Sequence, residues 1–342
     1  MKILKSWLND WIDIENISNP EISEALESLG FEIENKIDLK PNFENIVVGK
    51  VLEIYKHPNA DKVRVTKTDV GNNSYEIVCG AWNFEVGAVV PVALPNSKIK
   101  DNFKIEKRDI RGIQSNGMIC SAAELDLWDD HEGILLLDDK LLPGTDFSSI
   151  YSSNDFIWEV GITPNRGDCM SYLGIARELS GYFNKKLKNK KSNLKPTISN
   201  ILNADSGKIK ECNSYGSVEI ENFTVTNSSF EMRYRLTKVG TRIINNVVDI
   251  TNYILYDIGQ PLHAFDRDKL FGTISVRKAK NNEKITTLDS QVRKLDSNDL
   301  IITDNDKPIA LAGVMGGLET EVTDSTTNLL IESAYFDKVS IM

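Results

Sequence analysis

Cysteine and histidine are scarce, with four and three residues respectively in a chain of 342. Cys79, Cys120, Cys169 and Cys212 form no CxxC pair, and no histidine stands at ligand spacing from them. That excludes a zinc framework or a disulfide scaffold and leaves buried free thiols. No run of about 18 uninterrupted apolar residues occurs. The start, Met1 to Asp13, is amphipathic with acids instead of basic and then apolar, so no membrane span or signal peptide is expected and a cytoplasmic protein is. Excess positive charge is also missing. Forty Lys and Arg against fifty Asp and Glu give a net charge of -10, which argues against nucleic-acid binding driven by overall charge.

The composition is that of an ordinary globular chain, 41% hydrophobic and 26% charged, and 342 residues exceed one core. At roughly 100 to 200 residues per domain, two to four domains are expected. Charge is distributed unevenly. Residues 98 to 111 carry six basic side chains (Lys98, Lys100, Lys104, Lys107, Arg108, Arg111) against three acids, and residues 185 to 195 carry six lysines and no acid. Glu124 to Asp139 holds seven acids and no Lys or Arg.

Leu4, Trp7, Leu8 and Trp11 recur at helical spacing, as do Ile22, Ala25, Leu26 and Leu29, before Gly30 stops the second helix and Phe31 to Ile37 alternates. From about residue 44, short β runs follow one another, punctuated by Gly71, Gly80, Gly87, Pro95 and Gly117; this is the signature of a small all-β barrel over 41–151. A strand at 155–163 and an amphipathic helix over Met170 to Phe183 are too little for a domain of their own. They are expected to complete the opening unit, so that 1–40 with 152–184 form a split α+β unit with the barrel inserted. Residues 185–207 read as a lysine-rich linker. From 208 to 342 helices near 228–239 and 245–257 alternate with strands near 216–225, 273–279, 284–287, 299–303 and 308–312, an α+β pattern. The end at DKVSIM has no cap or charged tail, as expected of a break inside a longer protein.

Three constellations carry chemistry. In the barrel, His57 lies in a loop (HPNADK) that can meet a phosphate or serve as a simple turn, and His131 has the same two readings. The basic residues from Lys98 to Arg111 form a rim of the kind with which OB-folds hold single-stranded nucleic acid. Between strand and helix, Arg166 and Asp168 of TPNRGD read as a cap with its ion pair or as a phosphate contact. In the last domain Thr251, Asn252 and His263 sit among apolar residues, LAGVMGG at 311–317 gives a glycine-rich turn without the Lys-Ser/Thr of a P-loop, and Glu332 lies alone in LLIESAYF. A lone carboxylate there is costly unless something pairs with it.

The run from HPNADK through IRGIQSNGMICSAAEL is similar to the tRNA-binding OB domain of bacterial phenylalanyl-tRNA synthetase β chains. TPNRGDCMSYLGIARE, DITNY, QPLHAFD, LAGVMGG and LLIESAYF resemble successive motifs of the same chains in the same order, across essentially all 342 residues. The resemblance implies the N-terminal part of a β subunit, with a B3/B4 editing domain at 208–342. By its motifs His263 and Glu332 fall on catalytic positions of an editing pocket, and Thr251, Asn252, Ala312 and Gly313 on substrate-binding ones. It further implies tRNA(Phe) and an α subunit, in an α2β2 enzyme, as partners. No cofactor or metal is expected in this stretch; ATP and Mg2+ are implied for the whole enzyme. The competing expectations are a non-catalytic tRNA-binding OB protein with an accessory α+β domain, and a structural subunit whose editing site is inactive.

Overall fold

A computed structural model of the chain describes residues 1–150, 155–189, 204–205 and 209–342, so most of the lysine-rich linker expected at 185–207 lies outside the described residues. The chain divides into two units: Met1–Pro164 with Glu178–Lys186 and Ser229–Arg242, and Asn165–Arg177 with Leu187–Ser228 and Ile243–Met342.

In chain order the elements up to residue 183 are β1 (Lys2–Leu4), α1 (Lys5–Asn9), α2 (Asn19–Ser28), β2 (Glu32–Leu39), β3 (Glu44–Lys56), β4 (Arg64–Asp69), β5 (Ser74–Cys79), β6 (Val89–Ile99), β7 (Phe103–Lys104), β8 (Arg108–Ile110), β9 (Ile113–Ser115), β10 (Met118–Ile119), β11 (Asp155–Gly161) and α3 (Tyr172–Phe183). α2 starts where a Ser18–Glu21 capping box and Pro20 fix its first turn, and it ends at Gly30, which takes a φ of +88° that side chains with a Cβ avoid. The periodic Trp7, Leu8, Ile22 and Leu26 are buried, as is Trp158 on β11. The Trp158 indole N–H donates to Ser23 Oγ at 2.9 Å, so the ring is buried without an orphaned donor. β11 pairs antiparallel with both β1 and β2, giving the sheet order β1-β11-β2.

The β runs between residues 44 and 119 form an antiparallel sheet of order β10-β6-β3-β4-β5, with β7 also on β6. Its core holds Val51, Ile77, Phe84, Val90, Val92 and Ile119. Among the described residues no strand ladder joins the two ends. They communicate through single bonds, Asn116 N–H to the Glu76 carbonyl at 2.9 Å and Val78 N–H to Ser115 Oγ at 3.1 Å. The barrel expected from the sequence therefore stands as a sheet with an open strand path.

The remaining elements are β12 (Ala204–Asp205), β13 (Cys212–Ile220), α4 (Phe230–Lys238), α5 (Asn246–Ile258), β14 (His263–Asp266), β15 (Ile274–Lys278), β16 (Lys284–Thr286), β17 (Val292–Lys294), β18 (Leu300–Asp304), β19 (Lys307–Leu311), β20 (Met315–Gly316), β21 (Leu329–Phe336) and α6 (Lys338–Ile341). α4 belongs to the first unit. It is tied there by Arg235 to Asp10 at 2.6 Å, by Arg233 to the Leu136 carbonyl at 2.7 Å and by Lys238 to the Leu127 carbonyl at 2.7 Å.

The second unit contains a sheet of order β12-β15-β18-β19-β20, a three-stranded antiparallel sheet β13-β21-β14, and the hairpin β16-β17. Phe265 and Leu330, neighbours across β14 and β21, share one core with Ile274, Val276, Ile302 and Ala310 of the larger sheet. Full burial of such side chains contributes about 1.5 to 3 kcal/mol each. α5 begins at Asn245, whose side chain accepts from the amides of Val247 and Val248 at 3.1 and 3.0 Å, and ends at Gly259 with φ +80°. The whole is a mixed α/β protein. Among the described residues no helix is long and apolar enough to cross a membrane.

Candidate functional site

Three polar residues line up across the small sheet of the second unit. Strand register sets Ser217 of β13 opposite Glu332 of β21, and Glu332 opposite His263 of β14, so all three side chains leave the same face. Glu332 is only 6% exposed, and among the described residues its carboxyl has no hydrogen-bond partner. Burial alone pushes its pKa up to about 7. Burial pushes the imidazole of His263 down to about 4, and its ring meets Phe265 edge-on at 4.5 Å between centroids. At neutral pH the pair is thus a neutral imidazole beside a carboxyl poised between its two forms.

Above them lies the turn of LAGVMGG, closed by the β19–β20 pairs Ala310 with Gly316 and Leu311 with Met315. Gly313 has φ +68°, which a turn this tight requires. Gly316 makes room for the histidine, since a Cβ there would collide with the His263 ring. The Ala312 amide is spent on the Leu300 carbonyl at 3.0 Å. Gly313 lines the cavity, and its amide is left without an acceptor among the described residues.

These groups surround a cavity of 740 Å³ lined by His263, Glu332, Gly313, Gly316, Lys338 and apolar residues including Pro261, Ile302 and Phe336. That volume is in the range of small-molecule sites, and few polar groups converge on it. Thr251 and Asn252 do not line it. They lie half-buried on α5, with the Thr251 hydroxyl donating to the Val248 carbonyl at 2.7 Å. Ala312 is buried and lines a neighbouring cavity of 490 Å³.

Two residues near this site carry no signal in the sequence. Tyr215, on the same face of β13 as Ser217, has a buried hydroxyl without a partner, and burial together with the Glu332 carboxylate pushes its pKa up. Lys338, at the start of α6, contributes an exposed ammonium to the cavity. Only register reveals the first, and only packing the second.

In the first unit, the six basic residues expected to meet RNA are all exposed, but they are not equivalent. Lys98 pairs with Glu44 at 3.1 Å and Lys100 with Asp126 at 2.9 Å. Arg111 donates to the Asn59 carbonyl at 3.3 Å, and Arg108 lies over the Phe103 ring at 5.7 Å. Lys104 and Lys107 have no ion pair among the described residues. His57 is buried, with Nε2 on the Ile110 carbonyl at 2.9 Å and Nδ1 accepting from Asn59 N–H at 3.1 Å, a loop-fixing arrangement; His131 is exposed and pairs with Asp129. In the second unit, Arg166 forms two bonds to Asp168, which hold that carboxyl below its usual range. The sequence does not expose a further feature of the first unit. Arg64 is stacked between Trp82 (4.7 Å) and Phe84 (4.4 Å), beside a cavity of 600 Å³, and Trp82 is 60% exposed.

Comparison with known proteins bears on both units. The model of a putative tRNA binding domain matches residues 46–146, and that of the B3/4 domain matches residues 211–342. The phenylalanine–tRNA ligase beta subunit of Fusobacterium nucleatum is 40% identical over 100% of this chain and 43% of its own length. That of Protochlamydia amoebophila is 40% identical over the same shares, and that of Nitratidesulfovibrio vulgaris 42% identical over 98% and 43%. The chain thus spans less than half the length of these relatives.

Proposed function

Since the chain belongs to the phenylalanine–tRNA ligase β-subunit family, over the part that carries the tRNA-binding and B3/4 domains, we propose that it binds tRNA(Phe) and hydrolyses the ester of mischarged Tyr-tRNA(Phe). The observation that carries this reading is the unpartnered Glu332 carboxyl facing His263 in a mostly apolar cavity of 740 Å³.

The ring of the aminoacyl group lies in the apolar part of the cavity. A tyrosyl phenol donates its hydrogen bond to Glu332, whereas a phenylalanyl ring leaves that buried acceptor unmet. Leaving it unmet costs about 1 to 3 kcal/mol, about 5- to 150-fold in selection. A synthetic pocket built for phenylalanine rejects an added hydroxyl by only about a hundredfold, so a second selection of opposite sense multiplies the discrimination. The editing cavity inverts that preference.

Hydrolysis adds a water oxygen to the ester carbonyl and releases the ribose oxygen, which takes up the proton the water loses. The Gly313 amide donates to the developing oxyanion. His263, with its imidazole near 4, accepts a hydrogen bond from the attacking water and orients it without removing its proton beforehand. It is a positioning group in this scheme, and the amide and the carboxyl supply the selectivity and the charge stabilisation.

In the first unit, the antiparallel sheet acts as an OB-type surface on which Lys98, Lys100, Lys104, Lys107, Arg108 and Arg111 meet RNA phosphates. The domain division that goes with this reading is 1–40 with 152–184, 41–151, 185–207 and 208–342. The partners are tRNA(Phe) and a synthetase α subunit in an α2β2 assembly. Amino-acid activation with ATP and Mg2+ belongs to the whole enzyme, and its place is the cytoplasm.

Deacylation of Tyr-tRNA(Phe) and Phe-tRNA(Phe) by the chain and by Glu332→Ala and His263→Ala variants tests the proposal. Hydrolysis of the tyrosyl ester by the native chain supports it. A chain that binds tRNA and hydrolyses neither ester is the non-catalytic binding protein instead.

A further inference from the structure

The cavity around His263 and Glu332 does not end at the glycine turn. Leu311, Val314 and Ile341 line both it and the 490 Å³ cavity beside it, so the two share a wall. The far side of the second cavity is β17, which contributes Arg293 and Lys294. Across the β16–β17 hairpin the register sets Lys284 directly opposite Lys294. Like charges directly opposed on an antiparallel pair repel, so this arrangement works against the hairpin unless an anion lies over it.

No such anion comes from the described residues. Neither Lys284 nor Lys294 has an ion pair there, and the same holds for Lys338 in the first cavity. The acids close by are already engaged. Asp299 lines the second cavity, but its carboxylate accepts from the Asp296 amide at 2.7 Å, and Asp289 is held by Arg293 at 2.6 Å. A chain with a net charge of -10 thus keeps Lys284, Lys294 and Lys338 without ion pairs among the described residues near its candidate ester site, whereas Arg293 between them is paired with Asp289.

We propose that Lys284 and Lys294 of the hairpin, with Lys338 of the first cavity, form a cationic strip that binds the backbone phosphates of the single-stranded 3′ end of the aminoacylated RNA. The inference rests on the reading of the first cavity as an ester-hydrolysis site. The ester hangs on the terminal ribose, and the phosphodiester comes immediately before it, so a cavity that takes the ester needs an adjoining path for anions. The second cavity shares a wall with the first and carries the matching charge.

The test uses the full chain and two esters of the same amino acid, Tyr-tRNA(Phe) and 2′(3′)-O-tyrosyl-adenosine, which lacks phosphate. Lys294→Glu and Lys284→Glu are each expected to raise KM for the tRNA ester about tenfold with kcat unchanged, and to leave tyrosyl-adenosine hydrolysis as it is. The dependence of log affinity on log salt for the RNA becomes shallower by about 0.7 per lysine removed. Loss on both esters alike, or on neither, overturns the strip. A second readout does not need hydrolysis: binding of a fluorescent RNA oligonucleotide ending in CCA to the native chain and to Lys294→Glu. Affinity and salt dependence unchanged by the substitution overturn the strip even if the native chain hydrolyses Tyr-tRNA. If the native chain hydrolyses neither ester but oligonucleotide binding still depends on Lys294, the strip stands and the ester-hydrolysis reading falls.

Discussion

Glu332 faces His263 across the β14–β21 ladder, and burial moves the two groups in opposite directions, the carboxyl up to about 7 and the imidazole down to about 4. The same apolar surroundings disfavour the charged form of each. The consequence is a site whose charge depends on pH near neutrality through one group only.

That relationship predicts a hidden cancellation in stability. Between pH 4.5 and 7 the folded Glu332 holds a proton that the unfolded chain has lost, so its contribution falls as pH rises. Between pH 4 and 6.5 the unfolded His263 holds a proton that the folded chain lacks, so its contribution rises with pH. Each swing is on the order of 3 kcal/mol. In the native chain they offset over their shared range. Urea unfolding from pH 4 to 7.5 should show Glu332→Gln gaining stability relative to the native chain as pH rises, and His263→Asn losing it. Parallel curves for all three proteins would contradict the burial argument.

Gly316→Ala should act on His263 from a distance of one atom. The added Cβ has no room beside the imidazole, so the ring must turn from its position over Phe265. Overpacking of this kind costs about 1 to 3 kcal/mol. Deacylation by the variant should lose kcat more than it gains KM, as expected when an orienting group is displaced and binding is not. An unchanged kcat in a stably folded variant would remove His263 from the mechanism.

The basic rim of the first unit should divide in two. Lys98 and Lys100 are already paired with Glu44 and Asp126, and Lys104 and Lys107 are not. Charge reversal at Lys104 and Lys107 together should weaken tRNA binding several-fold and flatten its salt dependence by about 0.7 to 0.9 per residue. The same change at Lys98 and Lys100 should do less. Equal effects from the two pairs would mean that the ion pairs open on binding.

Much of this was legible in the residues themselves. Gly30 and Gly259 mark helix ends, and the alternation of β14 and β21 puts Phe265 and Leu330 inward. Glu332 was conspicuous as the one acid in an apolar run. The rest depends on long-range pairing that no local pattern encodes. Glu44 lies 54 residues from Lys98, and nothing near either residue announces their pairing. The opposition of Lys284 and Lys294 follows from hairpin register, and the loss of the Ala312 amide to Leu300 follows from how β18 and the glycine turn pack. The sequence likewise suggested a closed barrel, because closure depends on whether the end strands pair and not on the spacing of glycines.

The most direct test of the account is the ratio of Tyr-tRNA(Phe) to Phe-tRNA(Phe) deacylation by the native chain and by Glu332→Ala, measured with the same tRNA preparation. The account predicts a native preference for the tyrosyl ester that drops about 5- to 150-fold in the variant, with the phenylalanyl rate little changed. A native-like preference in Glu332→Ala would show that the buried carboxyl does not read the phenol, and the central claim would fail.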